Sequence, residues 1–442
     1  MVNKDNNSNG QIEDVMGFLN EVQLNYPDAI SLASGRPDER YFNLHNFQKY
    51  IDVFVDYMSK EKNTSVERIL KDLGQYNRTK GVINALMAKY LENVYQIKSS
   101  ADDVLINVGS QESFILTLLT LCNKENDVLI VEDPSYVGIS HFSILAQYPV
   151  VPSPVRSSGL CLERLEENIL RCRAEGQQVK LVYVIPDFQN PTGTRMPIEN
   201  RKRLLQLAEQ YDFYIVEDNA YGDFVFEGEK LPTIKSLDKN GYVIYLHSFS
   251  KIICPALRIG VMVCDQKDKE GNKLSDLMAK TKGYTTVNTP SITQMVVGGM
   301  LIENQFSFDQ YNEEKIEKLK VKRDRILNAL HTYFRADDIS HLAQVTWNVP
   351  EGGYFMTLTL PIDIDKNDVI DCAKHYKVIA TPMSFFHLTN EGNNQIRIAY
   401  SYVHEDLINT AIERLSRFLH QKIERTSTEA ASKRYELLNN IT

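Results

Sequence analysis

Six short apolar runs constrain what this chain can fold into more than any other feature. They are VLINV (104–108), DVLIVED (127–133), KLVYVIPD (180–187), DFYIVED (212–218), YVIYLHS (242–248) and RIGVMVC (258–264). A half-exposed strand alternates apolar and polar residues. These runs do not alternate, which suits strands covered on both faces. Helical stretches separate them, as in the segment from Gly109 to Leu121 and the one holding Arg201, Leu204, Leu205 and Ala208. Strands spaced by helices form a mostly parallel sheet, so the fold class is α/β.

The pattern changes near residue 311. The text NEEKIEKLKVKRDRILNALHTYF is long, charged and helically periodic. QVTWNVPEGGYFMTLTLP then reads as a hairpin, with Gly352–Gly353 in its irregular part, and IRIAYS (396–401) as a further strand. A last helix is expected from Glu405 to Ile423. With 442 residues the chain is long enough for two domains. The expected layout is an N-terminal arm (1–30), the first part of a smaller α+β domain (31–74), a large domain (75–310), the rest of the smaller domain (311–424) and a flexible tail (425–442). The Asn-rich first dozen residues are read as mobile.

Bulk properties remove several function classes. The net charge of −9 argues against a nucleic-acid binder. No run of about 18 apolar residues is present to span a membrane, and the polar N-terminus lacks a secretory core. The six cysteines (122, 161, 172, 254, 264, 372) form no CxxC pair. They are read as reduced thiols of a cytoplasmic protein, and no metal site is expected.

The chemistry lies in five motifs near strand ends, where open α/β sheets bind ligands. The first is Ser248-Phe-Ser250-Lys251, continuing to Arg258 and Gly260. A lysine beside hydroxyls and an arginine suits a Schiff-base amine close to a phosphate. On its own Lys251 would be a solvated lysine like the others; its surroundings change that reading. The second motif is Asp218-Asn-Ala-Tyr221. Its carboxylate can pair with a protonated pyridine nitrogen, although an aspartate here also serves as a plain helix N-cap. The third is Asp187-Phe-Gln-Asn190-Pro-Thr-Gly193, a turn whose Asn190 amide can donate to a ring oxygen. The fourth is Gly109-Ser110-Gln111-Glu112, a helix start of the kind that binds phosphate. The fifth is Glu132-Asp133-Pro134-Ser135-Tyr136, whose tyrosine can stack on a ring.

In this order and at this spacing, NPTG, D-x-A-Y and S-x-S-K-x6-R resemble the fold-type I pyridoxal-phosphate (PLP) enzymes of the aspartate-aminotransferase superfamily. The branch of kynurenine and 2-aminoadipate aminotransferases is the most similar, and the resemblance covers roughly residues 28–420. It implies that Lys251 carries PLP, that Asp218 pairs with the pyridine nitrogen, and that Asn190 and Tyr221 bond the ring oxygen. Tyr136 would stack on the ring, and Ser110, Gln111, Ser248, Ser250 and Arg258 would hold the phosphate. Tyr76 would reach the phosphate of the neighbouring subunit in a homodimer, and Arg397 would clamp the substrate α-carboxylate. Gly35 and Arg36 are expected on the substrate side.

The departures narrow the likeness. Gln75-Tyr76 is followed by Asn-Arg78-Thr-Lys-Gly81 in place of a small turn, an early motif reads Ser34-Gly35-Arg36-Pro37, and Pro-Ala follows the lysine where Pro-Gly is usual. The first two resemble dihydroxyphenylglycine aminotransferases, which implies an aromatic or non-proteinogenic amino acid as substrate and a 2-oxo acid such as 2-oxoglutarate as acceptor. Arg36 and Arg78 are open to side-chain selection on one reading and to a salt bridge or subunit contact on the other. Amino transfer is the expected reaction. Oxidation, decarboxylation or elimination on the same fold shares the cofactor residues. A PLP-binding regulator is the distant alternative, disfavoured by the acidic charge and the roughly 30 residues ahead of the similar region.

Overall fold

All six apolar runs are strands. The computed structural model describes residues 14–335 and 344–439. The Asn-rich stretch read as mobile lies outside them. In chain order the strands are β1 (Ile30–Ser31), β2 (Val104–Val108), β3 (Asp127–Asp133), β4 (Val150–Arg156), β5 (Gly159–Leu160), β6 (Gln178–Val184) and β7 (Tyr214–Asn219). They continue with β8 (Val243–Ser248), β9 (Ile259–Val263), β10 (Thr346–Trp347), β11 (Phe355–Thr359), β12 (Val378–Ile379), β13 (Thr381–Pro382) and β14 (Gln395–Ala399).

Eight strands form one sheet in the order β2-β9-β8-β7-β6-β3-β4-β5. Pairings from β8 through β4 are parallel, while β9 runs antiparallel to both β2 and β8. Neighbouring residues of a strand feed different cores, which explains the missing alternation. Leu246 of β8 packs in one cluster and Tyr245 in another, as do Leu105 and Ile106 of β2. Each such fully buried side chain contributes about 1.5–3 kcal/mol of transfer free energy.

The smaller sheet, β10-β11-β14-β13, is antiparallel, and the expected hairpin is its β10–β11 pair. The long helices Asp309–Arg335 and Ile408–Asn439 pack against each other beside it. β1 pairs in parallel with β12, so the chain just after the N-terminal helix Val15–Asn25 joins the smaller domain.

Two boundaries differ from the sequence reading. Residues 31–74 do not all belong to the smaller domain. Helix Phe47–Glu61 packs on helix Ser291–Glu303, and Phe54 and Ile69 enter the same core as the β2 and β9 residues. Their amphipathic spacing says that one face is buried, not which partner covers it. The tail assigned to 425–442 is helical as far as Asn439, following a turn at Glu405–Leu407. No glycine or proline interrupts the sequence there, so nothing local stops the helix at Ile423.

Candidate active site

The direction of β9 assembles the anion-binding end of the site. Because β9 is antiparallel between β2 and β8, its first residue side meets their carboxyl ends. Arg258 precedes β9 in the left-handed region, at φ 51°. Its guanidinium donates to Ser250 Oγ at 3.2 Å and to the Val108 carbonyl at 3.5 Å. Gly109 opens the helix Gly109–Leu121 with φ 77°, and a Cβ there would lie 2.3 Å from Arg258 Nη2. A Cβ on Gly260 would lie 2.3 Å from the Gly109 carbonyl carbon. Two glycines therefore let an arginine, a helix N-terminus and the turn after β8 converge.

Lys251 sits in the short helix Phe249–Ile252 that begins as β8 ends. Its Nζ donates to the Gly35 carbonyl at 2.9 Å, and the rings of Tyr221 and Tyr354 stand 5.9 and 5.6 Å away. Burial, with Arg397 and Arg258 nearby, lowers its pKa from 10.5 to about 8. A lysine so placed is far closer to a free amine than a solvated one.

Asp218, near the end of β7, accepts a hydrogen bond from the Tyr183 hydroxyl on Oδ2 at 2.7 Å. Its Oδ1 is buried and has no partner. Burial raises the carboxyl to about 6, partly offset by Tyr183. Asn190 lies in the turn after β6. Its oxygen accepts from Arg397 Nη1 at 3.0 Å, which leaves the amide end for Tyr221. That amide contact lowers the Tyr221 hydroxyl pKa slightly, against a strong upward push from burial.

Arg397 projects from β14 in the smaller domain. Besides Asn190 it donates from Nη2 to the Ala33 carbonyl at 2.6 Å, and its Nε is buried without a partner. The rings of Phe355 and Phe386 flank the guanidinium at 4.7 and 4.5 Å. Burial lowers its pKa to about 10. A desolvated guanidinium close to two rings keeps its unpartnered Nε–H and remaining N–H groups for an anion.

Nearly all the residues singled out in the sequence line one cavity of about 750 Å3: Ser110, Gln111, Tyr136, Asn190, Asp218, Tyr221, Ser248, Ser250, Lys251, Arg258, Arg397, Gly35 and Arg36. Among the residues given a cofactor or substrate role, Tyr76 is the exception. It is 86% exposed and outside its own chain's cavity. Arg36 reaches the side-chain oxygen of Asn20 at 3.1 Å. Arg78 forms an exposed ion pair with Asp102 at 3.4 Å and does not border the cavity. A larger cavity of about 900 Å3 lies elsewhere along the domain boundary, and neither Lys251 nor Arg397 borders it. Sequence reasoning did not find Tyr183, Phe355 or Phe386. Each sits in an apolar run or turn where a core role is the ordinary one, and no local signal separates them from core.

The residues fit PLP. The unpartnered Oδ1 of Asp218 suits a pyridine N–H, the hydroxyls and Arg258 at a helix N-terminus suit a phosphate, and Lys251 suits an aldehyde. Fold and site define a PLP enzyme of fold type I with the architecture of aspartate aminotransferase. Residues 46–415 match the model of the family aminotransferase class I and II, and the chain belongs to that family. It is 36% identical over 408 residues to (S)-3,5-dihydroxyphenylglycine transaminase of Amycolatopsis orientalis, covering 92% of each chain. It is 33% identical to aromatic-amino-acid aminotransferase 1 of Thermococcus litoralis, covering 90% of this chain and 89% of that one. Its fold superposes on Pyrococcus horikoshii kynurenine aminotransferase, solved in complex with PMP, with a TM-score of 0.79 and 32% identity, covering 93% and 95% of the two chains. The protein is a PLP-dependent aminotransferase that works on amino acids and 2-oxo acids.

Proposed function

We propose that this aminotransferase takes the amino group from an aromatic or non-proteinogenic amino acid and passes it to a 2-oxo acid such as 2-oxoglutarate, as a cytoplasmic homodimer. One observation carries the residue roles: Lys251 and Arg397, from different domains, border the same cavity, so an amino acid can meet both at once. The substrate class rests on the two relatives named above for dihydroxyphenylglycine and aromatic amino acids. The cavity agrees with it. Phe355, Phe386 and Tyr402 offer rings, while Arg36, Asn20 and His404 give a polar rim for a substituted ring.

PLP, when bound, supplies an electrophilic carbon for the amine and a ring that withdraws electrons. Lys251 would hold it, and its released amine would take the Cα proton and return it two atoms along, at the cofactor's former aldehyde carbon. Asp218 Oδ1 would accept from the ring N–H. Tyr221 and the Asn190 amide would donate to the ring oxygen, and Tyr136 would cover the ring face. Ser110, Gln111, Ser248, Ser250 and Arg258 would hold the phosphate. Arg397 would orient the α-carboxylate, fixing the Cα–H bond for cleavage.

The dimer reading draws on the exposed apolar residues Tyr76, Tyr284, Val287 and Ile292. Asn77 bonds Ser291 at 2.9 Å, which brings two of their segments together. Tyr76 would complete the other subunit's phosphate site.

The test is a half-reaction screen. Phenylglycines, phenylalanine, tyrosine, glutamate, 2-aminoadipate and arginine are mixed with the holoenzyme while the cofactor absorbance is followed. Aromatic amino acids should bleach it, and 2-oxoglutarate or pyruvate should restore it. Bleaching by arginine or aliphatic amino acids alone would reject the substrate assignment.

A further inference from the structure

Arg397 is not held by its own domain alone. Asp133 ends β3 in the large sheet, and its carboxylate reaches across to the chain that follows Phe386. Oδ1 accepts from the Leu388 N–H at 2.8 Å. Oδ2 accepts from the Thr389 hydroxyl at 2.7 Å. His387 Nδ1 lies 3.2 Å from the same oxygen and must carry its proton to bond a carboxylate. The Ser135 N–H adds a backbone hydrogen bond to the Phe386 carbonyl at 3.0 Å. The side chains of Asp133 and His387 are each only 5% exposed.

These bonds fix residues 386–389 to residues 133–135. The first of the fixed residues, Phe386, is the ring 4.5 Å from the Arg397 guanidinium. Tyr136, on the cofactor side of the cavity, follows directly on the other strand of this latch.

We propose that Asp133 is a positioning residue for the substrate carboxylate: it locks the 386–389 turn to the large domain and so holds Phe386 against Arg397. A carboxylate suits the place because it accepts only. Two oxygens can receive the three donors of residues 387, 388 and 389 together, which no neutral side chain of that size can do. Without it only the Ser135–Phe386 backbone bond still ties the turn to the large domain, the Phe386 ring loosens, and the guanidinium is no longer preset for an anion. The cost falls on carboxylate binding, while Lys251 and the phosphate end keep all their contacts.

This inference rests on the reading of Arg397 as the carboxylate clamp. The experiment compares Asp133→Asn, Thr389→Val and Thr389→Ser with the wild-type holoenzyme. The readouts are KM and kcat for amino acid and 2-oxo acid, Kd for an unreactive carboxylate (maleate or hydrocinnamate) titrated against the cofactor absorbance, and thermal unfolding. Asp133→Asn should raise KM and the carboxylate Kd about tenfold, the size of a lost hydrogen bond to a charged group. The cofactor spectrum and kcat should stay close to wild type. Thr389→Val should show a smaller rise, and Thr389→Ser, which keeps the hydroxyl, should restore binding. A double-mutant cycle of Thr389→Val with Phe386→Leu should be non-additive, because both act through the same ring. Unchanged KM and Kd in Asp133→Asn, or losses in kcat alone, would overturn the proposal. If Asp133→Asn does not fold, additive effects in the cycle would overturn it instead. Arg397→Lys in parallel separates the two claims: an intact carboxylate Kd there rejects the clamp itself, whereas a raised Kd with a silent latch rejects only the role of Asp133.

Discussion

Tyr183 donates its hydroxyl to Asp218 Oδ2 at 2.7 Å, and the other carboxylate oxygen is buried without a partner. The tyrosine thus pins the carboxylate from behind and leaves one lone-pair face for a cationic ring nitrogen. Asp218→Asn should leave the fold intact and lower kcat by on the order of 10²–10⁴-fold, as removal of one partner of a buried ion pair costs about 3–5 kcal/mol. Tyr183→Phe should lower it by about tenfold, in line with one hydrogen bond to a charged group. Stopped-flow measurement of the half-reaction checks both, and near-normal turnover in Asp218→Asn would remove its assigned role.

Lys251→Ala should lose the borohydride-fixed cofactor. Peptide mapping of the reduced wild-type enzyme should find the label on Lys251. A label on any other lysine contradicts the reading of the site.

The Lys251 amine should govern how fast the apoprotein captures PLP. Its pKa is lowered from 10.5 to about 8, first by burial and then by Arg397 and Arg258. Only the free amine attacks an aldehyde, so the capture rate should climb with pH and level off above about pH 8. The sign for stability is the same. Between the folded and unfolded pKa the unfolded chain binds more protons, so this group makes the apoprotein more stable as pH rises through that window. Arg397→Met removes one of the lowering charges and should move the midpoint up. A capture rate that is flat with pH, or a wild-type midpoint at the ordinary lysine value, would contradict the depressed pKa.

Arg397→Lys keeps the charge but loses the planar fork that lies close to the Phe355 and Phe386 rings. We expect kcat/KM to fall by about 100-fold for both amino acid and 2-oxo acid. Equal loss on both is the telling result, since one clamp serves both half-reactions. Amines lacking a carboxylate should be unaffected.

Tyr76 is 86% exposed in the single chain. If it serves the other subunit, sedimentation should show a dimer, and Tyr76→Phe should weaken cofactor retention without changing the assembly. Mixing Tyr76→Phe with Lys251→Ala should yield hybrid dimers that have one fully wild-type site. A fully active monomer would end this reading.

The sequence by itself determined the α/β class, the six central strands and the order of the cofactor motifs. It could do so because strands buried on both faces need continuous apolar runs, and because the lysine, aspartate and NPTG motifs are local segments at strand ends. What tertiary structure decided were pairings between segments far apart. The antiparallel course of β9, which carries Arg258 to Gly109, depends on which strands flank it. An amphipathic helix such as Phe47–Glu61 states that one face is covered, and only packing chose the large domain as its cover. Tyr183, Phe355, Phe386 and Asp133 read as ordinary strand, turn or core residues. They gain a role only where strands or domains distant in sequence meet, since a hydrogen bond or a ring contact is set by distance in space and leaves no periodic trace along the chain.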